Sequence, residues 1–304
     1  MAKIAVFYYT QTGQTLQVAQ SVCRPLAEAG HTVVYRAIVP EQPLPYPCSA
    51  KSFFHTFPES REAIPCKIAP VDLSDIAGAE LVIIAYQVWF LSPSTPFHAF
   101  FQNPAIQQYL NGKRCITITG CRNMWVMAQA KAGGYLRNAD GKLVGNIVLQ
   151  DRHPNLISVL TIVRWLFYGK KEKSGLLPAA GISAADLQHA AVFGEIIAEV
   201  LRSGGWDSLQ ERLLAAGAVG YKPAIVFMEK TGYRIFGVWA KFILRKGERR
   251  PARRAFLLKL FKYYLFVVLY VIAPVGLIFF YLACPFRYAA IRKDRKRQTM
   301  IPVC

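Results

Sequence analysis

Five short apolar segments, separated by helical patterns and loops, run through the first 150 residues and most constrain the fold. They are rich in β-branched and aromatic residues and cover residues 3–10, 31–38, 80–87, 113–121 and 142–150. Helical periodicity covers residues 14–29, 96–110, 125–136 and 183–204. Strands that alternate with helices pair in parallel, so the sequence predicts an α/β fold with a doubly wound parallel sheet of order 2-1-3-4-5. Ligands of such sheets lie outside the carboxyl ends of the strands, beside the first strand.

The loop after the first predicted strand is rich in groups that can bind an anion. It comprises Thr10, Gln11, Thr12, Gly13, Gln14 and Thr15. The start of the following helix offers unpaired backbone N–H groups and the positive end of a dipole, and the threonines add hydroxyl donors. The loop lacks the lysine of a nucleotide-triphosphate loop and the G-x-G-x-x-G of a dinucleotide site. The pattern therefore favours a single terminal phosphate held by neutral donors.

The spacing T-x-T-G-x-T in this loop resembles the FMN-phosphate loop of flavodoxins. The resemblance implies a flavodoxin-like five-stranded sheet with FMN as its cofactor. Flavodoxin-like proteins hold the flavin ring in the loops after strands three and four, which here are YQVWFLSPSTPF (86–97) and TGCRNMW (119–125). Trp89 is the candidate for the aromatic side chain packed on the ring. The implied contacts of the cofactor in these loops are Tyr86, Val88, Trp89, Phe90, Thr119, Gly120, Cys121, Asn123 and Trp125.

Residues 120–175 resemble one particular family among the flavodoxin-like proteins. The stretches GCRNMWVMAQAK and LVGNIVLQDRHPNLISVLTIVRWLFYGKK are similar to a bacterial flavodoxin-like family, the dialkylresorcinol condensing enzymes. This family is found with the ketosynthases of alkylresorcinol and aryl-polyene lipid synthesis and is associated with aromatising the cyclohexanedione that they release. The resemblance spans roughly residues 1–245. It implies an FMN-dependent oxidoreductase that converts a dialkylcyclohexane-1,3-dione to a dialkylresorcinol, with a ketosynthase as partner.

Two basic residues near the predicted ring loops are the candidate catalytic groups. Arg122 could stabilise the enolate of a dione by charge-assisted hydrogen bonds, or it could form a salt bridge on the surface. His153, just after the fifth predicted strand, could act as a general base, because histidine is a common proton acceptor at physiological pH, or it could be structural. The seven cysteines are scattered and no His or Cys cluster has metal-ligand spacing, so the sequence predicts neither a disulfide framework nor a metal site.

The carboxyl-terminal quarter of the chain predicts membrane association. Residues 229–304 contain 17 Lys and Arg and 3 Asp and Glu, a net charge of +14, which leaves +5 of the total +19 for the rest of the chain. Residues 263–286 are 24 positions without a charge, enough to cross a hydrocarbon core of ~30 Å, with aromatic residues at both ends. The basic flanks suit anionic lipid head groups, and no motif for binding nucleic acid accompanies them.

The topology of this apolar segment is open on sequence grounds. The amino terminus has no secretion signal, so we expect the first domain on the cytoplasmic face of the inner membrane. A single span would export the basic tail, against the positive-inside tendency. A re-entrant or shallow helical hairpin around Pro274, with both ends cytoplasmic, is the alternative.

Three regions follow from these patterns. Residues 1–205 form a flavodoxin-like FMN domain with an apolar insertion at 154–182, residues 206–255 a basic linker or helical region, and residues 256–304 the membrane anchor and basic tail. The insertion is a lid or an interfacial surface for a lipid-like cyclic substrate, or it is a helix that covers the sheet. Other functions considered are a protoporphyrinogen oxidase or quinone reductase of flavodoxin type, a flavodoxin-type electron carrier and a flavin-less scaffold. Electron carriers are typically acidic, whereas residues 1–228 are slightly basic.

Overall fold

A six-stranded sheet organises the protein, whose computed structural model describes residues 1–247 and 250–301. The strands are β1 Lys3–Tyr8, β2 Thr32–Ala37, β3 Leu81–Trp89, β4 Ser92–Pro93, β5 Arg114–Cys121 and β6 Lys142–Gln150. The order β2-β1-β3-β5-β6 is parallel throughout, and the short β4 pairs antiparallel with the end of β3. The predicted order 2-1-3-4-5 is therefore confirmed, with β4 as an addition.

Helices cover both faces of the sheet. Those in the first 215 residues are α1 Gln14–Glu28, α2 Ala50–His55, α3 Phe57–Glu62, α4 Thr95–Gln102, α5 Pro104–Leu110, α6 Val126–Asn138, α7 Asn155–Tyr168, α8 Ala184–His189, α9 Ala191–Ser203 and α10 Trp206–Ala215. Alternate residues of β1 serve the two layers: Ile4 and Val6 pack with α1 and α9, whereas Ala5 and Phe7 pack with α4, α5 and α6. Burial of both faces explains why the strands are continuous apolar runs.

Two of the predicted helices are each two helices in the structure. The segment 96–110 breaks at Asn103, because Pro104 starts a new helix whose first turn Asn103 caps, its Oδ1 accepting the Ala105 N–H at 2.9 Å. The segment 183–204 breaks at Ala190. Its predicted ends are confirmed, since the Ser183 side chain caps α8 and Gly204 follows α9 with a φ of 79°.

The core of the sheet continues beyond the predicted domain boundary at residue 205. Leu209 and Leu213 of α10 are fully buried in the layer that contains α1 and α9. Gln210 Oε1 accepts the backbone N–H of Asn146, in β6, at 2.8 Å. The start of the region predicted as a linker is thus part of the sheet domain.

Four helices form the carboxyl-terminal part of the chain. They are α11 Pro223–Gly247, α12 Pro251–Val267, α13 Ala273–Ala283 and α14 Tyr288–Thr299, and a π-helical turn, Val268–Ile272, joins α12 to α13. The helix that runs from Pro251 to Ala283 has 33 residues and is long and apolar enough to cross a membrane. It packs antiparallel on α11 along its length, with ring centroids 5.4 Å apart for Phe236 and Phe261 and 5.3 Å apart for Phe227 and Phe280.

An aromatic cluster joins these helices to the sheet domain. Phe57, in α3, stacks on Phe261 with centroids 3.8 Å apart and planes 7° apart, and both side chains are fully buried. Phe90, beyond the end of β3, packs against Phe57 at 5.1 Å. The long apolar helix is therefore fixed to the face of the domain on which β3 ends.

Candidate functional site

The loop between β1 and α1 lies at the switch point of the sheet, because β1 is flanked by β2 and β3. Gly13 precedes α1 with a φ of 85°, and a Cβ at this position would meet no atom within 4 Å. No side chain of the described residues caps the helix, so in this part of the chain the N–H groups of its first turn have no side-chain cap. The uncapped start of this 15-residue helix has the backbone geometry and the dipole that favour an anion.

The threonines of this loop supply the hydroxyl groups that the sequence predicts. Thr10 Oγ1 is buried and has no hydrogen-bond partner among residues 1–247 and 250–301. Buried hydroxyls are nearly always hydrogen-bonded, so this atom is available to a water molecule or a ligand. Thr12 is half-buried at the mouth of the loop and Thr15 is buried under it. The hydroxyl set and the uncapped helix fit the phosphate of a mononucleotide.

A Thr10→Val variant separates a ligand-binding hydroxyl from a structural one. We expect its affinity for FMN to fall about 5- to 10-fold, because one hydrogen bond of about 1 kcal/mol is lost. The flavin-free variant should unfold at no lower temperature than the native chain, since the hydroxyl has no internal partner to lose. Flavin fluorescence titration and thermal unfolding measure the two effects. Lower stability with unchanged affinity would show that the hydroxyl supports the fold instead.

The two glutamines of the loop hold neighbouring segments in place. Gln11 Nε2 donates to the carbonyls of Leu44 and Pro45 at 3.0 and 3.1 Å, in the long proline-rich connection. Gln14 bonds the backbone N–H and carbonyl of Ile182, both at 3.2 Å, at the end of the insertion. These side chains are already engaged, so in this structure they position segments beside the loop, and any contact of theirs with a phosphate would come from the backbone.

The segment after β3 is a tight hairpin rather than an extended loop. Phe90 and Leu91 form its tip with φ values of 51° and 65°, between the pairs Val88–Pro93 and Trp89–Ser92. Such a two-residue turn favours glycine or asparagine, and each bulky residue in it costs about 1–3 kcal/mol. Strain of this kind accumulates at ligand sites, which is consistent with the predicted ring-binding role of this segment.

The aromatic residues of this hairpin point in different directions. Trp89 is 5% exposed and meets Tyr9 and Phe53 edge-on, at 5.9 and 5.5 Å between ring centroids. Phe90 instead stacks on Phe53 at 4.9 Å and belongs to the aromatic cluster of α3 and α12. Trp89 therefore stays the candidate for the flavin ring, whereas the ring of Phe90 is used to attach the carboxyl-terminal helices.

Several residues that are predicted to contact the flavin ring have side chains that bond within the protein. The Tyr86 hydroxyl donates to Gln129 Oε1 at 2.8 Å, and its ring is fully buried. Thr119 Oγ1 donates to the Tyr86 carbonyl at 2.9 Å, between adjacent strands. Trp125 is 1% exposed, and its Nε1 donates to the Gly220 carbonyl at 3.2 Å. The protein encloses these three side chains completely, so their role is to support the loops of the site.

Other atoms at the ends of β3 and β5 are unpaired. Asn123 Nδ2 donates to Asn155 Oδ1 at 2.7 Å, but Asn123 Oδ1 is buried without a partner in the described part of the chain. The same holds for Gln87 Oε1, which our sequence reasoning missed, although its position next to Val88 in the predicted ring loop marked it. Two free acceptors at this edge suit the N–H and O–H donors of a flavin ring and its ribityl chain. Gly120 is crowded, since a Cβ there would lie 2.8 Å from Ile182.

Arg122 and His153 are placed near the site by the β5 and β6 loops. Arg122 Nη1 donates to the Asn155 carbonyl at 3.0 Å and to Asn155 Oδ1, and it lies 3.4 Å from Ser158 Oγ. Burial lowers the pKa of Arg122 to about 10, while Cys121 and Asp151 act against that effect, so it stays cationic at neutral pH. Arg122 is thus no surface salt bridge; it holds the start of α7, the apolar helix of the insertion.

His153 sits at the start of the same insertion. Its backbone N–H donates to Asp151 Oδ1 at 2.9 Å, and the Asp151 side chain is buried. Burial raises the pKa of the Cys121 thiol well above its ordinary value, so the thiol stays protonated at neutral pH, and its predicted contact with the cofactor stays a prediction. The base role of His153 stays a prediction.

Glu229, on α11, is a buried carboxyl that sequence reasoning missed. Its Oε1 accepts the Met127 N–H at 2.7 Å, at the start of α6, and its Oε2 is buried without a partner among the described residues. Burial raises its pKa to about 7, against the effect of backbone N–H groups at the α6 terminus. A glutamate in a helical pattern reads as a solvated residue, and only the packing of α11 on α6 brings it beneath the β5–α6 loop.

Comparison with known proteins gives similar structures but no family. No protein-family model and no curated protein matches the chain. A flavodoxin from the domain Archaea is 14% identical, with 66% of this chain and 99% of the other covered and a TM-score of 0.38. A Lactobacillus acidophilus flavoprotein in complex with FMN is 13% identical, with 49% and 93% covered and a TM-score of 0.40.

A third similar structure is RosB with bound 8-demethyl-8-formylriboflavin-5'-phosphate, 9% identical, with 73% of this chain and 91% of the other covered and a TM-score of 0.36. Identities this low bear on the fold alone, and the strand order carries that assignment by itself. The doubly wound parallel order of the sheet, with the carboxyl-terminal apolar helix added to it, gives this chain a flavodoxin-like fold.

Proposed function

We propose that the protein is an FMN-dependent, membrane-associated oxidoreductase acting on a lipid-like cyclic substrate. The observation that carries the proposal is the β1–α1 loop. There the buried Thr10 Oγ1, which has no partner among the described residues, lies beside the uncapped start of α1 at the switch point of the sheet. A terminal phosphate satisfies both features with neutral donors. The free acceptors of Gln87 and Asn123, at the neighbouring strand ends, support a ring with N–H donors bound across the same edge.

Each part of the edge has a distinct task in this proposal. Thr10, Thr12 and the first turn of α1 bind the phosphate, and Trp89 packs on the ring. The strained hairpin and the Asn123–Asn155 bond fix the two ring loops before the cofactor binds, which reduces the ordering cost of binding. When bound, FMN supplies a two-electron acceptor for a hydride from the substrate.

The surroundings of Arg122 support this substrate class. The insertion helix α7 is apolar over most of its length and begins at the residue that Arg122 holds. Tyr270, of the long apolar helix, lies close enough to Arg122 to affect its pKa. A cationic group between two apolar helices suits a molecule with an anionic head and alkyl arms. An electron carrier does not need such apolar surroundings for a substrate, and this favours an enzyme.

The reaction we propose is the aromatisation of a dialkylcyclohexane-1,3-dione to a dialkylresorcinol, on the resemblance of residues 120–175. The ring would lose two hydrogens, one as a proton and one as a hydride for which bound FMN would supply the acceptor, and the enedione that remains would tautomerise to the resorcinol. Arg122 stabilises the enolate oxygen because a guanidinium removed from water interacts strongly with an anion. His153 is the base that we propose for the proton, and a ketosynthase is the source of the dione.

Purification from detergent and a single-turnover reaction test this function. The protein should be yellow, and a synthetic dialkylcyclohexanedione added without oxygen should bleach the flavin absorbance with one equivalent of resorcinol formed. A yellow protein that does not convert the dione but oxidises protoporphyrinogen or reduces a quinone would overturn the proposed substrate. The proposed flavin cofactor would still hold. A colourless protein that takes up no FMN would overturn the whole proposal in favour of a scaffold.

A further inference from the structure

Both ends of the long apolar helix are bonded to the same sheet domain. At its start, Arg254 Nη2 donates to Glu59 Oε1 at 2.6 Å and to the His55 carbonyl at 3.0 Å. These partners lie in α2 and α3, on the domain side of the aromatic cluster. The first turn of the helix is therefore fixed to the domain by charge and by packing.

The segment beyond the helix returns to the same domain. Asp294, in α14, accepts Lys230 Nζ at 2.6 Å and the Tyr221 hydroxyl at 2.7 Å through its two oxygens. The Thr299 carbonyl accepts Gln210 Nε2 at 2.9 Å, and Gln210 is bonded to β6. Burial and these hydrogen bonds oppose each other at Asp294, and its pKa is lowered on balance. The tail is thus held on α10 and α11, at the opposite end of the helix.

These contacts argue against both topologies that the sequence leaves open. A helix of 33 residues is ~50 Å long, and one that crosses a hydrocarbon core of ~30 Å places its ends on opposite sides of the membrane. Here both ends contact one domain. A re-entrant hairpin needs a reversal near Pro274, but the helix continues through this residue, because the π-helical turn and the first turn of α13 accommodate its missing N–H.

The outer face of the helix is apolar and exposed. It presents a stripe at helical spacing, Val267, Val271, Val275, Ile278 and Leu282, each about half or more exposed. Exposed basic residues stand at both ends: Lys259 near the start, and Arg292, Lys293 and Lys296 in the tail. An apolar stripe flanked by cations is complementary to the interface of an anionic bilayer, with its acyl region below and its phosphates beside it.

We propose that the helix Pro251–Ala283 lies in the plane of the membrane interface and neither spans the bilayer nor turns back within it. The occupant of its outer face is an anionic lipid bilayer. This inference rests on the membrane association proposed above and specifies its geometry: the protein is monotopic, with its sheet domain and basic tail on one side.

Depth measurements along the stripe test this geometry. Single spin labels are placed at Val267→Cys, Val275→Cys and Leu282→Cys in chains whose Cys66, Cys284 and Cys304 are replaced by serine, and the depth of each is measured in anionic vesicles by collision with oxygen and a water-soluble relaxant. We expect the three labels at one shallow depth. A spanning helix would separate the outer two labels by ~20 Å in depth, because 15 residues rise 1.5 Å each.

Two further measurements keep the result interpretable. The triple variant Arg292→Gln, Lys293→Gln and Lys296→Gln should bind anionic vesicles about 100-fold more weakly, at ~1 kcal/mol for each charge near the surface. Neutral vesicles should bind both proteins weakly and alike. Depths that increase along the helix would overturn the in-plane geometry but leave the membrane association intact. Labels that do not contact lipid would overturn the membrane association as well. Neither result affects FMN content.

Discussion

Replacing Thr12 with glutamate should reduce the affinity for FMN at least 100-fold. The side chain is half-buried at the mouth of the β1–α1 loop, so a carboxylate there meets the phosphate directly. The loop has no cation that could offset the repulsion between two anions. A loss of about 3 kcal/mol corresponds to this factor, and flavin fluorescence titration at fixed ionic strength measures it.

Riboflavin and a conservative variant provide the controls for this experiment. Riboflavin has no phosphate, so Thr12→Glu should bind it as the native chain does, and the preference for FMN over riboflavin should disappear. Thr12→Ser keeps the hydroxyl and should retain most of the affinity for FMN. Equally weakened binding of FMN and riboflavin by Thr12→Glu would mean that the variant damages the fold. Unchanged FMN binding would show that this loop does not bind the phosphate.

Glu229→Gln should abolish a loss of stability that the native chain shows as the pH rises. Burial raises the pKa of this carboxyl from 4.5 to about 7, so between these values the folded chain keeps a proton that the unfolded chain has released. The stabilisation is fully present below about pH 4.5 and is lost as the pH rises through about 7. The expected size is about 3 kcal/mol between pH 4.5 and 8.

The comparison is best made as a difference between two denaturation series. The free energy of unfolding of the native chain and of Glu229→Gln is measured by urea at several pH values, and the difference between them is plotted. A constant offset reports the altered hydrogen bonds at the start of α6, whereas a slope in favour of the variant at higher pH reports the titration. Glu199→Gln, at an exposed side chain of α9, is the matched control. Parallel curves at all pH values would contradict an elevated pKa of Glu229.

The sheet was predictable because the burial of each strand is visible in that strand's own sequence. Segments covered on both faces are continuous apolar runs, and their alternation with helices fixes parallel pairing. Helix ends were predictable where a local residue decides them, as Ser183 and Gly204 do. The break at Asn103 was missed, since a helical apolar pattern on both sides of Pro104 outweighed the proline in our reading.

The site was only partly predictable, for a different physical reason. The β1–α1 loop is local, so its hydroxyls and its helix start are visible in six consecutive residues. The roles of Phe90 and Trp125 depend on what packs around them, and residues far along the chain supply it: Phe57 and Phe261 for the first, Gly220 for the second. Glu229 lies about a hundred positions from its partner Met127, and no spacing rule connects the two.

The stacked pair of Phe57 and Phe261 decides how this protein can be handled in the laboratory. Ending the chain before residue 251 to obtain a water-soluble version would uncover Phe57 and Phe236 and remove the acceptor of Gln210 at Thr299. The apolar helix therefore covers part of the core of the sheet domain and cannot be removed without exposing that core. Solubility is better sought by polar replacements along the stripe from Val267 to Leu282, which leave the inner seam intact.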